Sequence, residues 1–99
     1  MRVEYKNKTL MKVCTNASIA RKKHGDRMAE LLHQRVDELK AADSVEQMIQ
    51  FGIGRCHPLC GDRKGQYAVD LVHPHRLAFI KVDGEIKIVS IVEIIDDYH

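Results

Sequence analysis

The sequence predicts an α+β fold in which N-terminal helices pack on one face of a mostly antiparallel sheet, and three observations carry that expectation. Apolar residues Met28, Leu31, Leu32, Val36 and Leu39 recur at three- and four-residue intervals, the spacing that lines one side of a helix. Beyond Arg55 the period changes to two, over residues 66–72, 76–82 and 86–95, as in strands whose side chains alternate between two faces. Helices therefore come first and strands after, without repeats, which segregates the two kinds of element into layers.

Each element has its own local reason. Val3 and Tyr5 alternate with Glu4 and Lys6 in a short opening strand. Leu10, Val13 and Cys14 follow Thr9 at helical spacing, with Thr9 as the cap, and Asn16 or Ser18 caps a second short helix that runs through Lys23 and ends at Gly25. Asp26 is the expected cap of the main helix, which carries Arg27, Glu30, Gln34, Arg35, Asp37, Glu38 and Lys40 on its polar side. Asp43 with Glu46, and Ser44 with Gln47, have the spacing of a capping box for a short helix that stops at Phe51 and Gly52. Asp83-Gly84 is a two-residue hairpin turn, and the nearly unbroken apolar run after it reads as a central strand covered on both faces.

With 99 residues, 44% of them hydrophobic, the chain is expected to form one domain over residues 1–99 with a single small core. It has no apolar run long enough to cross a bilayer, and polar residues stand where a signal peptide would be apolar, so the expected location is cytoplasmic, with no membrane partner. Three cysteines in such a chain are expected to be reduced thiols. The net charge of +2 hides an asymmetry: residues 1–27 hold eight Lys or Arg against Glu4 and Asp26. A basic segment of this kind either solvates the domain or meets nucleic acid.

The chemistry concentrates in residues 55–79, where His57, Asp62, Arg63, Lys64, His73, His75 and Arg76 lie in little more than two strands' length. Two strands joined by the Gly61 to Gly65 loop would gather these groups into a site for an anion. Arg63 and Arg76 offer planar, permanently charged donors that match phosphate. Arg76 opens an apolar strand, where a guanidinium needs a cleft or a carboxylate such as Asp70 beside it. His99, after the last strand, can bring a second imidazole to the same face. Metal-free cleavage of RNA by its own 2′-hydroxyl needs a base, an acid and cations around the phosphorane, and one or two histidines with Arg63 and Arg76 meet that need without a cofactor. Cys56, His57, Cys60, His73 and His75 also leave a structural zinc site open as an alternative, against which a strand would aim Cys56 and Cys60 one way and His57 the other.

Residues HPLCGDRKGQYAVDL, then HPHRLAF and the closing IVEIIDDYH, resemble the HigB branch of the RelE/ParE toxin superfamily, also called plasmid maintenance system killer proteins. GDRMAELLHQRVDELKAADS is similar to that family's main helix and the turn after it. The resemblance implies a RelE/ParE-like toxin domain that cleaves mRNA on the ribosome and is neutralised by a co-encoded helix-turn-helix antitoxin. By position, Arg63 and Arg76 would hold the scissile phosphate and His99 would transfer protons, with Lys64, His57 and Arg55 contributing to substrate binding. Cys60 stands where the family usually has a phosphate-binding Lys; Lys64 is near enough in sequence to replace it. That departure keeps open a relative that acts by binding alone, as gyrase-directed members of the superfamily do.

Overall fold

The computed structural model describes residues 1–82 and 87–96. In order these are β1 (Arg2–Tyr5), α1 (Lys8–Thr15), α2 (Ala17–His24), α3 (Asp26–Ala41), α4 (Val45–Gln50), β2 (His57–Pro58), β3 (Gln66–Asp70), β4 (Arg76–Lys81) and β5 (Ile88–Ile95). Short 3₁₀ turns at Ile53–Arg55 and Gly61–Arg63 bracket β2. The five strands form one sheet in the order β1-β5-β4-β3-β2. Only the β1–β5 pair is parallel, so the α+β fold with helices against a mostly antiparallel sheet is the one the sequence predicts. None of the described helices is long and apolar enough to cross a membrane.

The helix boundaries are set by caps. Asn7, two residues before the expected Thr9, caps α1: its side-chain oxygen accepts from the Leu10 amide at 2.9 Å. Asn16 does the same for α2 through the Ile19 amide at 3.1 Å. Gly25 both ends α2 and precedes α3, and its φ of 86° lies in the region that glycine adopts without a Cβ clash. Asp26 is therefore the first residue of α3 rather than its cap, and its carboxylate sits where the helix dipole favours negative charge. Ser44 accepts from the Gln47 amide at 3.0 Å while the Gln47 side chain accepts from the Asp43 amide at 2.9 Å, a capping box whose return bond is shifted by one residue.

The core lies between α3 and one face of the sheet. Leu32, Val36 and Leu39 are fully buried or nearly so and cluster with Val69, Leu77, Phe79, Val89 and Ile91. Ala29 takes a buried place on the helix stripe, while Leu31 is only half-buried. On β4, Leu77 and Phe79 face the helices, so Arg76, Ala78 and Ile80 face away from them. A register shift between Ala78 and Phe79, where β5 carries an extra residue, brings Glu93 opposite Ala78 and Ile91 opposite Phe79. Strand β1 pairs with Ile88 to Ile91 only, so β5 is an interior strand in its first half. The expected strand start at Ile86 and the Asp83-Gly84 turn lie outside the described residues.

Near the helix–sheet seam the backbone approaches a side chain closely. Gly54 has a φ of 60°, and a Cβ there would stand 3.1 Å from the Arg35 side chain and 3.2 Å from the Val69 Cβ. Arg35 is not free to retreat, because its Nε donates to the Asp70 carbonyl at 2.7 Å and its other arm pairs with Glu38 at 2.9 Å. Gly54→Ala is therefore expected to cost about 1–3 kcal/mol. Phe79→Ala, which empties the centre of the core, is expected to cost about 3–5 kcal/mol. Urea unfolding followed by circular dichroism measures both.

Candidate active site on the outer sheet face

The register fixes which side chains share the face turned away from the helices. Residues directly opposite each other in paired strands point to the same side, so His57, Ala68, Ala78 and Glu93 form one row across β2, β3, β4 and β5. Asp70, Arg76 and Ile95 form the next row. Gln66, Ile80 and Ser90 form the row on the other side. At about 4.8 Å per strand, the four-strand row spans roughly 14 Å and the two three-strand rows roughly 10 Å.

Two alanines make the middle of this face shallow, and a guanidinium occupies the space. Arg63, at the end of the Gly61–Arg63 turn, donates to the Gln66 side-chain oxygen at 3.0 Å and to Glu93 at 2.9 Å. Gln66 is on β3 in the row of Ile80 and Glu93 on β5 in the row of Ala78, so Arg63 spans β4 obliquely between these two rows. Ala68 and Ala78 are completely buried although they stand apart from the helix-side core, as residues roofed by polar side chains do. Neither Gln66 nor Glu93 is among the site residues read from the sequence. A signal for Glu93 is nonetheless present there, since it is the one charged residue in the strand Ile88–Ile95.

Arg76 enters the same face from the start of β4. The register sets Asp70 opposite it, but the Asp70 carboxylate pairs with Arg55 at 3.4 Å. No carboxylate among the described residues lies within ion-pair distance of Arg76. Arg55 is exposed, with a positive φ of 54° that turns the chain into β2. Lys64 is exposed just after the Arg63 turn. His57 is oriented by its own chain: its Nδ1 lies 2.8 Å from the Arg55 carbonyl, which can only accept, so Nδ1 carries the proton. In the neutral ring Nε2 is then the free, basic nitrogen.

The fold thus brings Arg63, Arg76, His57 and Arg55 to one face, with Lys64 at its margin. His99, the remaining residue expected to act in the site, lies outside the described residues. His75 belongs elsewhere: its ring ties the Val72 carbonyl at 3.0 Å to Asp96 at 3.1 Å, joining the β3–β4 turn to the end of β5. The cysteines diverge. Cys56 points into the core and Cys60 is exposed, while His57 is on the outer face, and no metal-holding group of three ligands occurs among the described residues.

The fold and face together define a small helix-on-sheet protein with arginines gathered on its outer sheet face. Two solved structures share that fold across nearly the whole chain. A YoeB/ParE toxin from Agrobacterium tumefaciens matches with a TM-score of 0.65 at 15% identity, covering 99% of this chain and 100% of that one. A YoeB-YefM complex from Staphylococcus aureus matches with the same TM-score and identity, covering 99% of this chain and 98% of that one. The likeness is one of fold, and neither structure is named as a HigB protein. No protein-family model matches the sequence, and no curated protein is significantly similar to it.

Burial pushes the thiols of both Cys14 and Cys56 up to about 11. At pH 8 each is then thiolate only roughly one part in a thousand, whereas Cys60 is open to solvent. A colorimetric thiol reagent at that pH is expected to modify one cysteine rapidly in the folded protein, and all three once it is unfolded. Mass mapping of the first adduct to Cys60 is the check; rapid labelling of Cys56 would contradict its place in the core.

Proposed function

We propose that the chain is the toxin of a type II toxin–antitoxin pair, a metal-independent endoribonuclease that cuts mRNA on the ribosome and so inhibits translation. The observation that carries this reading is the convergence of Arg63, Arg76 and the oriented His57 on one shallow sheet face. The fold shared with a YoeB/ParE toxin and with YoeB in its complex with YefM supports it, as does the sequence resemblance to HigB proteins. The same reading makes the chain one cytoplasmic domain whose partner is a helix-turn-helix antitoxin.

The reaction assigned to the face is attack of a 2′-hydroxyl on the adjacent phosphorus. The O2′–P bond forms and the P–O5′ bond breaks, leaving a 2′,3′-cyclic phosphate and a 5′-hydroxyl. Arg76 and Arg63 bind the non-bridging oxygens, whose negative charge grows in the phosphorane. Arg63 already gives one N–H to Gln66 and one to Glu93, and a guanidinium has five donors, so it meets a phosphate without leaving the sheet. Glu93 and Gln66 fix its direction. His99 and His57 are the groups for proton transfer, one taking the 2′ proton and the other supplying the O5′ proton. Lys64 supplies the extra cation that the family places at position 60, and Arg55 extends the phosphate path.

Primer extension on a translated mRNA after brief induction tests this directly. Breaks are expected with the wild-type chain, and their rate of appearance should fall by about 10²- to 10⁴-fold in His99→Ala, as for loss of one acid–base group. His57→Gln should lose a factor within the same range. Growth arrest without breaks would overturn the nuclease reading in favour of a relative that acts by binding, with Cys60→Lys the substitution that would restore cutting.

A further inference from the structure

His75 lies off the outer face, yet it stands between two groups that the proposed reaction uses. It directly precedes Arg76, and its partner Asp96 is three residues before His99. The ladder between β4 and β5 reaches its last backbone pair at Arg76 and Ile95, so His75 and Asp96 are one step beyond it, joined by their side chains. The backbone of His75 is itself tied into the β3–β4 turn: its amide donates to the Val72 carbonyl at 2.8 Å, and its carbonyl accepts from the Leu71 amide at 3.0 Å.

The contacts of the ring decide its charge. Nδ1 lies 3.0 Å from the Val72 carbonyl and Nε2 lies 3.1 Å from a carboxylate oxygen of Asp96. A carbonyl and an ionised carboxylate only accept, so both contacts are made together only when both nitrogens carry protons, in the imidazolium. A neutral ring keeps one contact and turns a lone pair on the other acceptor. The charged and titratable groups facing the pair are Lys23 and His24 at the end of α2 and Asp26 and Arg27 at the start of α3. Burial and then the charge of Lys23 hold His24 below the usual imidazole range, so His24 is the uncharged one of the two imidazoles at neutral pH. The Asp96 side chain is 73% exposed, and an ion pair that open to water adds little to stability. What the pair supplies is direction.

We propose that His75 is a positioning residue for the cleavage: as an imidazolium it clasps the end of β5 to the turn that leads into Arg76, and so sets where the last three residues, ending in His99, start relative to the phosphate-binding arginine. This role rests on the proposed nuclease function and adds to it a residue that touches no substrate. Imidazole charge changes between about pH 5 and 8, so the clasp is complete at the acid end of that range and loses one contact at the alkaline end.

Two readouts on the full chain test this. Nitrogen-15 NMR of the histidine rings is expected to show both His75 nitrogens protonated at about pH 6 and Nδ1 alone protonated at alkaline pH. Single-turnover cleavage on translating ribosomes is then compared across that range. At the acid end, His75→Ala and Asp96→Ala should each slow cleavage by about 10- to 100-fold, and the double variant should be no slower than either single one. The ratio of wild type to His75→Ala should shrink towards unity as pH rises. His75→Arg, whose guanidinium donates to two acceptors at every pH, should recover most of the rate and remove that pH dependence. Unfolding midpoints should stay near that of wild type throughout. A neutral His75 ring at the acid end, a wild-type rate in His75→Ala or additive losses in the double variant would overturn the proposal. So would a loss of rate that follows a loss of folded protein and is not recovered by His75→Arg. A wild-type chain that makes no breaks would overturn the nuclease reading and the positioning role with it, whereas equal cutting by wild type and His75→Ala would overturn the positioning role alone.

Discussion

The alternation of side chains along β4 is the constraint on which the rest of the molecule depends. Leu77 and Phe79 point to the helices and close the core, so Arg76 and Ala78 must point the other way. A slip of one residue would bury the guanidinium of Arg76 in an apolar interior and expose Phe79, and burial of an unpaired charge is among the costliest errors a fold can make. The stability of the core and the composition of the outer face are thus one choice of register. Strand β4 is central, paired on both edges, which fixes that choice firmly.

The second dependence is between a small residue and a large one. Ala78 leaves the depth in which Arg63 crosses from Gln66 to Glu93. A carboxylate beside Arg63 opposes anion binding, yet it holds a long, rotamer-rich side chain in one direction. Arg76 and Arg63 then differ in kind: Arg63 is anchored by a carboxylate and an amide, whereas Arg76 has no carboxylate within ion-pair reach among the described residues. On the helix side charge is arranged differently again, with α1 and α2 uniformly basic and α3 mixed.

How much of this is legible in the sequence depends on whether local chemistry or long-range pairing decides it. The main helix, the short helix after Ser44 and the three long strands are legible because periodicity and capping residues are local signals. The Arg63, Arg76 and His57 grouping is legible because it lies within one hairpin-like stretch. The cap at Asn7 is not, because Thr9 offers a similar side-chain oxygen two residues on, and only backbone geometry decides between them. Asp26 is displaced by one residue from its expected role because Gly25 serves two helices at once. The parallel pairing of β1 with β5 joins segments more than 80 residues apart, for which four residues of alternation hold no information. Glu93 as a partner of Arg63 is hidden because an apolar strand reads as core on both faces, when one of its faces turns away from the helices.

Single-turnover cleavage of mRNA on translating ribosomes, comparing Arg76→Ala with Lys81→Ala, tests most directly the claim that the outer face does the chemistry. The two residues begin and end the same strand, carry the same charge, and point to opposite faces, Lys81 reaching Glu46 on α4. Arg76→Ala is expected to slow cleavage by at least about 10²-fold while Lys81→Ala leaves it near the wild-type rate. Equal rates for the two variants would contradict the assignment of the active site to the face away from the helices.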